Sequence, residues 1–160
     1  MKTILLTGAY GQLGVVCEEY LNKYFNVYST ARTAKNKKFL LDISSKQSVK
    51  RVLENLQPDI ILNLAAMTDV DRCESEPGIA KKYNLNGLIN LCDGFDGHII
   101  QISTDYVFDG KKGPYNENDS TNPISVYGRT KLLAEEFLIN SNHNFTIIRT
   151  NVLYGFTDNA

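Results

Sequence analysis

Short apolar runs alternate along this chain with longer stretches of helical period. Lys2–Thr7 predicts a first strand. Leu13, Val16, Cys17, Tyr20, Leu21 and Tyr24 follow at i, i+3, i+4, i+7, i+8 and i+11, which predicts the buried face of a helix. Asn26–Thr30 and Lys38–Leu41 predict strands two and three. Ser44 or Ser45 is the candidate cap of a helix burying Val49, Val52, Leu53 and Leu56, and Pro58-Asp59 would end it. Ile60–Leu64 predicts strand four, Pro77 to Asp93 a helix, and His98–Ser103 strand five. A polar loop from Asp109 to Pro123 precedes a helix from Val126 to Asn140 and a sixth strand at Phe145–Arg149. Most strands lack period-2 alternation, as expected of parallel strands covered on both faces. The rhythm predicts an α/β fold, a doubly wound and mostly parallel sheet of about six strands in three layers.

In "LLTGAYGQLG", Gly8, Gly11 and Gly14 recur every third residue, directly after the first strand and at the start of an amphipathic helix. In a doubly wound sheet that turn is where a dinucleotide pyrophosphate docks. Backbone N–H groups and about half a positive charge at the helix N-terminus face the phosphates, and a side chain would hold them away. The three glycines then serve turn, close approach and helix–strand packing. Their spacing, G-x-x-G-x-x-G, departs from the standard fingerprint, and a plain glycine-rich connection is the simpler alternative. The context favours a Rossmann-like, NAD(P)-binding domain. An acidic residue after strand two would bind the ribose of NAD. Here Arg32 stands there, with Lys35, Lys37 and Lys38 nearby and no carboxylate from Val27 through Leu41. Arginine pairs bidentately with phosphate, so NADP is favoured, with NAD as the alternative cofactor and a solvated basic loop as the bland reading.

Composition narrows the field. The 160 residues are the length of one domain, residues 1–160, and large enough to bury a core without disulfides. A net charge of −1 gives no electrostatic case for nucleic acid or an anionic membrane surface. No run approaches the roughly 18 apolar residues of a membrane helix, and no secretory segment follows Met1-Lys2. Cys17, Cys73 and Cys92 suit neither a disulfide framework nor a zinc site, and Cys17 and Cys92 fall on apolar helix faces. No metal site and a reducing, cytoplasmic location are the expectations.

"VYGRTK" sets Tyr127 and Lys131 four apart on one helix face. An ammonium beside a phenol stabilises the phenolate and lowers its pKa, so Tyr127 could exchange a proton with a carbonyl oxygen. Most such pairs are ordinary surface neighbours. "IQISTDYVFDG" puts Ser103, Thr104 and Asp105 at the carboxyl end of strand five, where open α/β sheets bind ligands. A Thr104 hydroxyl there could polarise the same carbonyl, or simply cap the strand end.

With "NLAAMTDVDRCESEP", "ISTDYVFDG", "PYNENDSTNPISVYGRTKLLAEE" and "IIRTNVLYG" in order, the chain resembles the dTDP-4-dehydrorhamnose reductases of the extended short-chain dehydrogenase/reductase superfamily. The resemblance runs from Lys2 to about Gly155. It implies an NADPH-dependent oxidoreductase acting on a nucleotide-linked 4-keto-6-deoxysugar. Tyr127 would be the general acid, Lys131 would lower its pKa and hold the nicotinamide ribose, and Thr104 would orient the keto group. Gly11, Gln12 and Leu13 would line the pyrophosphate, and Asp42 and Ile43 the adenine. Leu64, Ala65 and Ala66 would lie beside the cofactor, and Thr104 and Asp105 would face the sugar. Asn84 would support the lysine or, equally, be a helix-interior polar residue bonding backbone or water. Val152 stands where the family carries an aromatic, which bears on the sugar pocket.

The resemblance also implies a C-terminal substrate domain, and the expectation is that these 160 residues do not include it. An apolar patch at its docking face makes self-association an expectation, with a homodimer as the candidate form. Two other functions stay open: a non-catalytic NADP-binding regulatory relative, like the regulatory subunit of methionine adenosyltransferase, and a nucleotide-sugar epimerase. The intact Thr104, Tyr127 and Lys131 set favours chemistry.

Overall fold

The structure, a computed structural model, describes residues 1–33 and 39–154. In chain order the elements are β1 (Thr3–Thr7), α1 (Gln12–Leu21), β2 (Asn26–Ala31), β3 (Phe39–Leu40), α2 (Lys46–Leu56) and β4 (Ile60–Asn63). Then come α3 (Val70–Ser75), α4 (Pro77–Lys81), a π-helical turn at Lys82–Asn86, α5 (Gly87–Cys92) and β5 (His98–Thr104). A 3₁₀ turn at Asp105–Val107, α6 (Val126–Ile139) and β6 (Asn144–Thr150) complete it. All pairings are parallel, in the order β3-β2-β1-β4-β5-β6. The expected doubly wound, three-layer Rossmann-like sheet is therefore present. Its order reverses between β1 and β4, which opens a crevice beyond their carboxyl ends.

The strands lack alternation because the core lies on both sides of the sheet. Leu5, Ile61 and Ile99 pack with Val49, Leu53, Leu88, Leu91, Ala134 and Leu138 from α2, α5 and α6. Ile4, Leu6 and Leu62 pack on the opposite face with Cys17 and Leu21 of α1. That second face is covered unevenly. Register pairs Ile102 with Ile148, and Ile148 is 43% exposed at the edge strand β6.

Ser45 rather than Ser44 caps α2, accepting Ser48 N–H at 3.3 Å, and Gln57 ends the helix in the left-handed region before Pro58. The predicted face of α1 needs correction. Gly14 is buried, and Cys17 and Leu21 pack into the core, whereas Val16, Tyr20 and Tyr24 are exposed. Gly14 lets the helix press its own side onto the β1 turn, which rotates positions 16 and 20 outward. Tyr24 lies past the end of α1, its ring 5.5 Å from that of Tyr20. The expected helix from Pro77 to Asp93 is interrupted by the π turn, and α3 is an additional short helix capped by Asp69. Among the basic residues after β2, Lys35, Lys37 and Lys38 lie outside the described residues.

Candidate active site

The β1–α1 turn is shaped by contacts that exclude Cβ atoms. Gly8 has φ +67°, and a Cβ there would stand 2.8 Å from Ala65 N; a Cβ on Gly14 would stand 2.5 Å from Gly8 O. Gly11 differs: its backbone is extended, and a Cβ would meet only Gly8 O, at 3.3 Å. No side chain caps α1, whose N-cap is Gly11 itself.

Two adjoining clefts run along the carboxyl edge of the sheet, of ≈ 540 and ≈ 450 Å³. Gly8, Gly11, Leu64 and Ala66 line both. Arg32, Asp42, Ile43 and Ala65 line the first. Gln12, Leu13, Gly14, Thr104, Asp105, Tyr127 and Lys131 line the second. The tertiary structure thus brings every sequence-predicted site residue to one edge.

Arg32 donates Nη1–H to the Tyr83 hydroxyl at 3.1 Å, its guanidinium 5.5 Å from the ring centre. Asp42 turns its carboxylate into its own chain, accepting Ser44 N–H at 2.9 Å and Ser44 Oγ–H at 2.7 Å. Ile43 is buried, and its carbonyl accepts Asn90 Nδ2–H at 2.9 Å.

The start of α6 presents Tyr127 to the second cleft. Ser125 caps the helix, accepting Gly128 N–H at 3.0 Å, and Glu74 of α3 accepts Val126 N–H at 2.6 Å. Gly128 has no room for a side chain: a Cβ would stand 2.2 Å from Tyr106 O. The Tyr106 ring meets that of Tyr127 edge-on at 5.7 Å. Thr104 is 5% exposed; its hydroxyl donates to Asp105 Oδ1 at 3.2 Å and accepts Tyr106 N–H at 3.2 Å.

Tyr127 and Lys131 lie one turn apart on α6, but the electrostatics between them correct the expectation. Burial raises the Tyr127 pKa, and the opposing influence is a hydrogen bond with Thr104 rather than the lysine charge. Lys131 is 4% exposed and donates Nζ–H to Ile102 O at 2.5 Å. Burial lowers its pKa to about 8, against the pull of Glu135. The ammonium has turned to the β5 backbone. Asn84 follows the backbone-bonding alternative: it accepts Met67 N–H at 2.8 Å and donates to Met67 O and Thr130 Oγ1, both at 3.0 Å. The π turn places it between the loop after β4 and α6.

Tyr83, Tyr106 and Glu135 are site neighbours that the sequence reading missed. Glu135 had a usable signal, since it stands one further turn along the Tyr127–Lys131 face. Cys17, Cys73 and Cys92 are free thiols, and burial pushes Cys92 up to about 12, in keeping with packing roles. No cluster able to hold a metal ion occurs among the described residues. No helix among them is long and apolar enough to cross a membrane.

A family profile described as the RmlD substrate binding domain matches residues 1–160. The chain belongs to this family. It is 37% identical to a dTDP-4-dehydrorhamnose reductase of Sinorhizobium fredii over 94% of this chain and 50% of that protein. It is 36% identical to methionine adenosyltransferase 2 subunit beta of Xenopus tropicalis over 96% of this chain and 48% of that one. A crystal structure of the Bacillus anthracis dTDP-4-dehydrorhamnose reductase in complex with NADP superposes with a TM-score of 0.89 at 33% identity, covering 99% of this chain and 56% of the other. The chain spans about half the length of the relatives it matches.

Proposed function

We propose that this member of the RmlD family binds NADP(H) across the carboxyl edge of the sheet and reduces the keto group of a nucleotide-linked 4-keto-6-deoxysugar. The observation that carries the reading is the convergence of Thr104, Tyr127 and Lys131 on a cleft shared with the Gly8–Gly14 turn. The residues fit a dinucleotide: the turn leaves bare backbone at Gly11, and Arg32 stands at the rim of the adjoining cleft for a 2′-phosphate. When bound, NADPH supplies the hydride that reaches the keto carbon. Tyr127 gives its phenolic proton to the keto oxygen, completing the alcohol, and Thr104 holds that oxygen by turning its hydroxyl proton from Asp105 Oδ1. Lys131 keeps two N–H donors beyond the one on Ile102 O, enough to hold a ribose hydroxyl and, redirected toward the phenol, to stabilise the phenolate.

A second reading draws on one observation: Lys131 donates Nζ–H to Ile102 O, and burial keeps the Tyr127 pKa raised. A binding module that holds NADP without turnover would have this arrangement, and methionine adenosyltransferase 2 subunit beta is among the relatives. Tyr127→Phe separates the two. With dTDP-4-keto-6-deoxymannose and NADPH, the reductase reading expects turnover to fall roughly 10²–10⁴-fold while NADPH binding persists. Binding without NADPH oxidation in the wild type supports the module. Wild-type turnover in the Phe variant assigns the proton to another group. Copurifying, tightly held NAD would point to an epimerase.

A further inference from the structure

Glu135 is the most deeply buried carboxylate among the described residues, 1% exposed on the α6 face that also carries Tyr127 and Lys131. It receives three polar groups. Ser103 Oγ–H donates to Oε1 in a short bond, Arg149 Nη2 donates to Oε2 at 2.6 Å, and Arg149 Nε spans both oxygens at 3.1 and 3.2 Å. The β5–β6 register sets Ser103 opposite Arg149, so one carboxylate closes over both strands.

An apolar pair would fill the same space without the desolvation that burying two charges costs. What the ion pair adds is direction. The two-point fork fixes the plane of the Arg149 guanidinium. Held so, it lies 5.1 Å from the centre of the Phe108 ring, and Nη1 donates to Glu117 O at 3.3 Å. Phe108 stacks on Tyr115 at 4.4 Å, with the planes 3° apart. Tyr115 OH donates to Asp109 Oδ1 at 2.6 Å, and Asn122 Nδ2 donates to Asp109 Oδ2 at 3.1 Å. The loop after β5 is thus tied into a knot, and the knot rests on Arg149. At the other end of the network Ser103 directly precedes Thr104.

We propose that Glu135 is a positioning residue that joins the proposed reaction centre to the loop beside it: through Ser103 it sets the backbone presenting Thr104 and Asp105, and through Arg149 it pins residues 108–122. The proposal rests on the reductase reading for the meaning of Thr104, but its geometry stands without it. The same contacts hold the Asp109 carboxyl low, at about 2, first through Tyr115 and then through Lys111 N–H and Asn122.

The test combines amide hydrogen exchange with fluorine NMR of chain labelled with 3-fluorotyrosine, the Tyr20, Tyr115 and Tyr127 resonances being assigned by Tyr→Phe. Glu135→Gln keeps the size and the Ser103 acceptor but removes the charge that holds Arg149. It should raise exchange over residues 108–122 tenfold or more and move the Tyr115 resonance, while residues 3–21 and the Tyr20 resonance stay as in the wild type. Ser103→Ala should move the Tyr127 resonance and speed exchange at residues 104–106, leaving 109–122 protected. Arg149→Lys keeps the charge without the fork and should loosen 108–122 as Glu135→Gln does; it serves if the Gln variant does not fold. A uniform rise in exchange across the sheet, or an unchanged loop in both Glu135→Gln and Arg149→Lys, overturns the proposal. Wild-type NADPH oxidation with dTDP-4-keto-6-deoxymannose, measured in parallel, reports separately on the reductase reading.

Discussion

Thr7 and Asn63 are joined side chain to side chain where the strand order reverses: Thr7 Oγ–H donates to Asn63 Oδ1 at 2.6 Å. The same Thr7 oxygen accepts Leu64 N–H and Ala65 N–H, both at 3.1 Å. Asn63 passes its amide to Gln101 Oε1 at 2.7 Å, Gln101 donates to Ile102 O at 2.7 Å, and Lys131 donates to that carbonyl. A buried polar row therefore runs from β1 to α6 beneath the site. Each member has partners, which is what makes its burial tolerable.

Thr7→Val tests the first link. The swap keeps the shape but leaves two backbone N–H groups and the Asn63 oxygen without Oγ1. A loss of about 1–3 kcal/mol is expected, read from urea unfolding. An unchanged midpoint would mean that the row adds nothing to stability.

The three glycines of the β1–α1 turn should separate by role. Gly8→Ala and Gly14→Ala place Cβ atoms against backbone at 2.8 and 2.5 Å, so both should lower thermal stability severely. Gly11→Ala meets only a 3.3 Å contact and should fold with a small loss; if the pyrophosphate docks on this bare backbone as proposed, it should bind NADPH at least tenfold more weakly. Wild-type NADPH affinity in folded Gly11→Ala would remove the pyrophosphate from this turn.

Arg32 should set the preference for a phosphorylated ribose. A hydrogen bond to a charged group contributes about 1.5–3 kcal/mol. Arg32→Ala should therefore weaken NADPH roughly tenfold or more and leave NADH nearly unchanged, as titration of both cofactors would read. Equal wild-type affinities for the two cofactors would reject this role.

Lys131 gives the folded state a distinct pH dependence. Its pKa is about 8 when folded and near the ordinary lysine value of 10.5 when unfolded. Below pH 8 both states are charged, and the full cost of burying the ammonium is present. Between about pH 8 and 10.5 the unfolded chain binds more protons than the folded one, so this group makes stability rise with pH. Lys131→Met should be more stable than the wild type at pH 7, by a margin that shrinks toward pH 10.5. Denaturant unfolding across that range checks the sign, and a margin independent of pH would show that Lys131 is not a buried ammonium.

Local pattern determined much of this protein by itself. The apolar runs at Lys2–Thr7, Asn26–Thr30, Ile60–Leu64, His98–Ser103 and Phe145–Arg149 mark β1, β2, β4, β5 and β6 to within a residue at each end, because consecutive apolar residues bounded by turn residues have few other stable uses. The third, at Phe39–Leu40, begins beside residues outside those described. The glycine triplet located the β1–α1 turn, since Gly8 and Gly14 answer contacts within a few residues of one another or with the adjoining strand. The family was legible for the same reason, as its motifs are contiguous.

What only the tertiary structure decided were directions and partners. Helical spacing put Lys131 and Tyr127 on one face, but packing against β5 buried the ammonium and turned it to Ile102 O. Periodicity alone could not show that Gly14 would rotate Val16 and Tyr20 to the outside. Asn84 found Met67 and Thr130 across distances of 17 and 46 residues, and Glu135 met Ser103 and Arg149 across 32 and 14. Hydrogen bonds and buried charges depend on which groups meet after the strands are ordered, and that order is set by non-local packing that leaves no period in the chain.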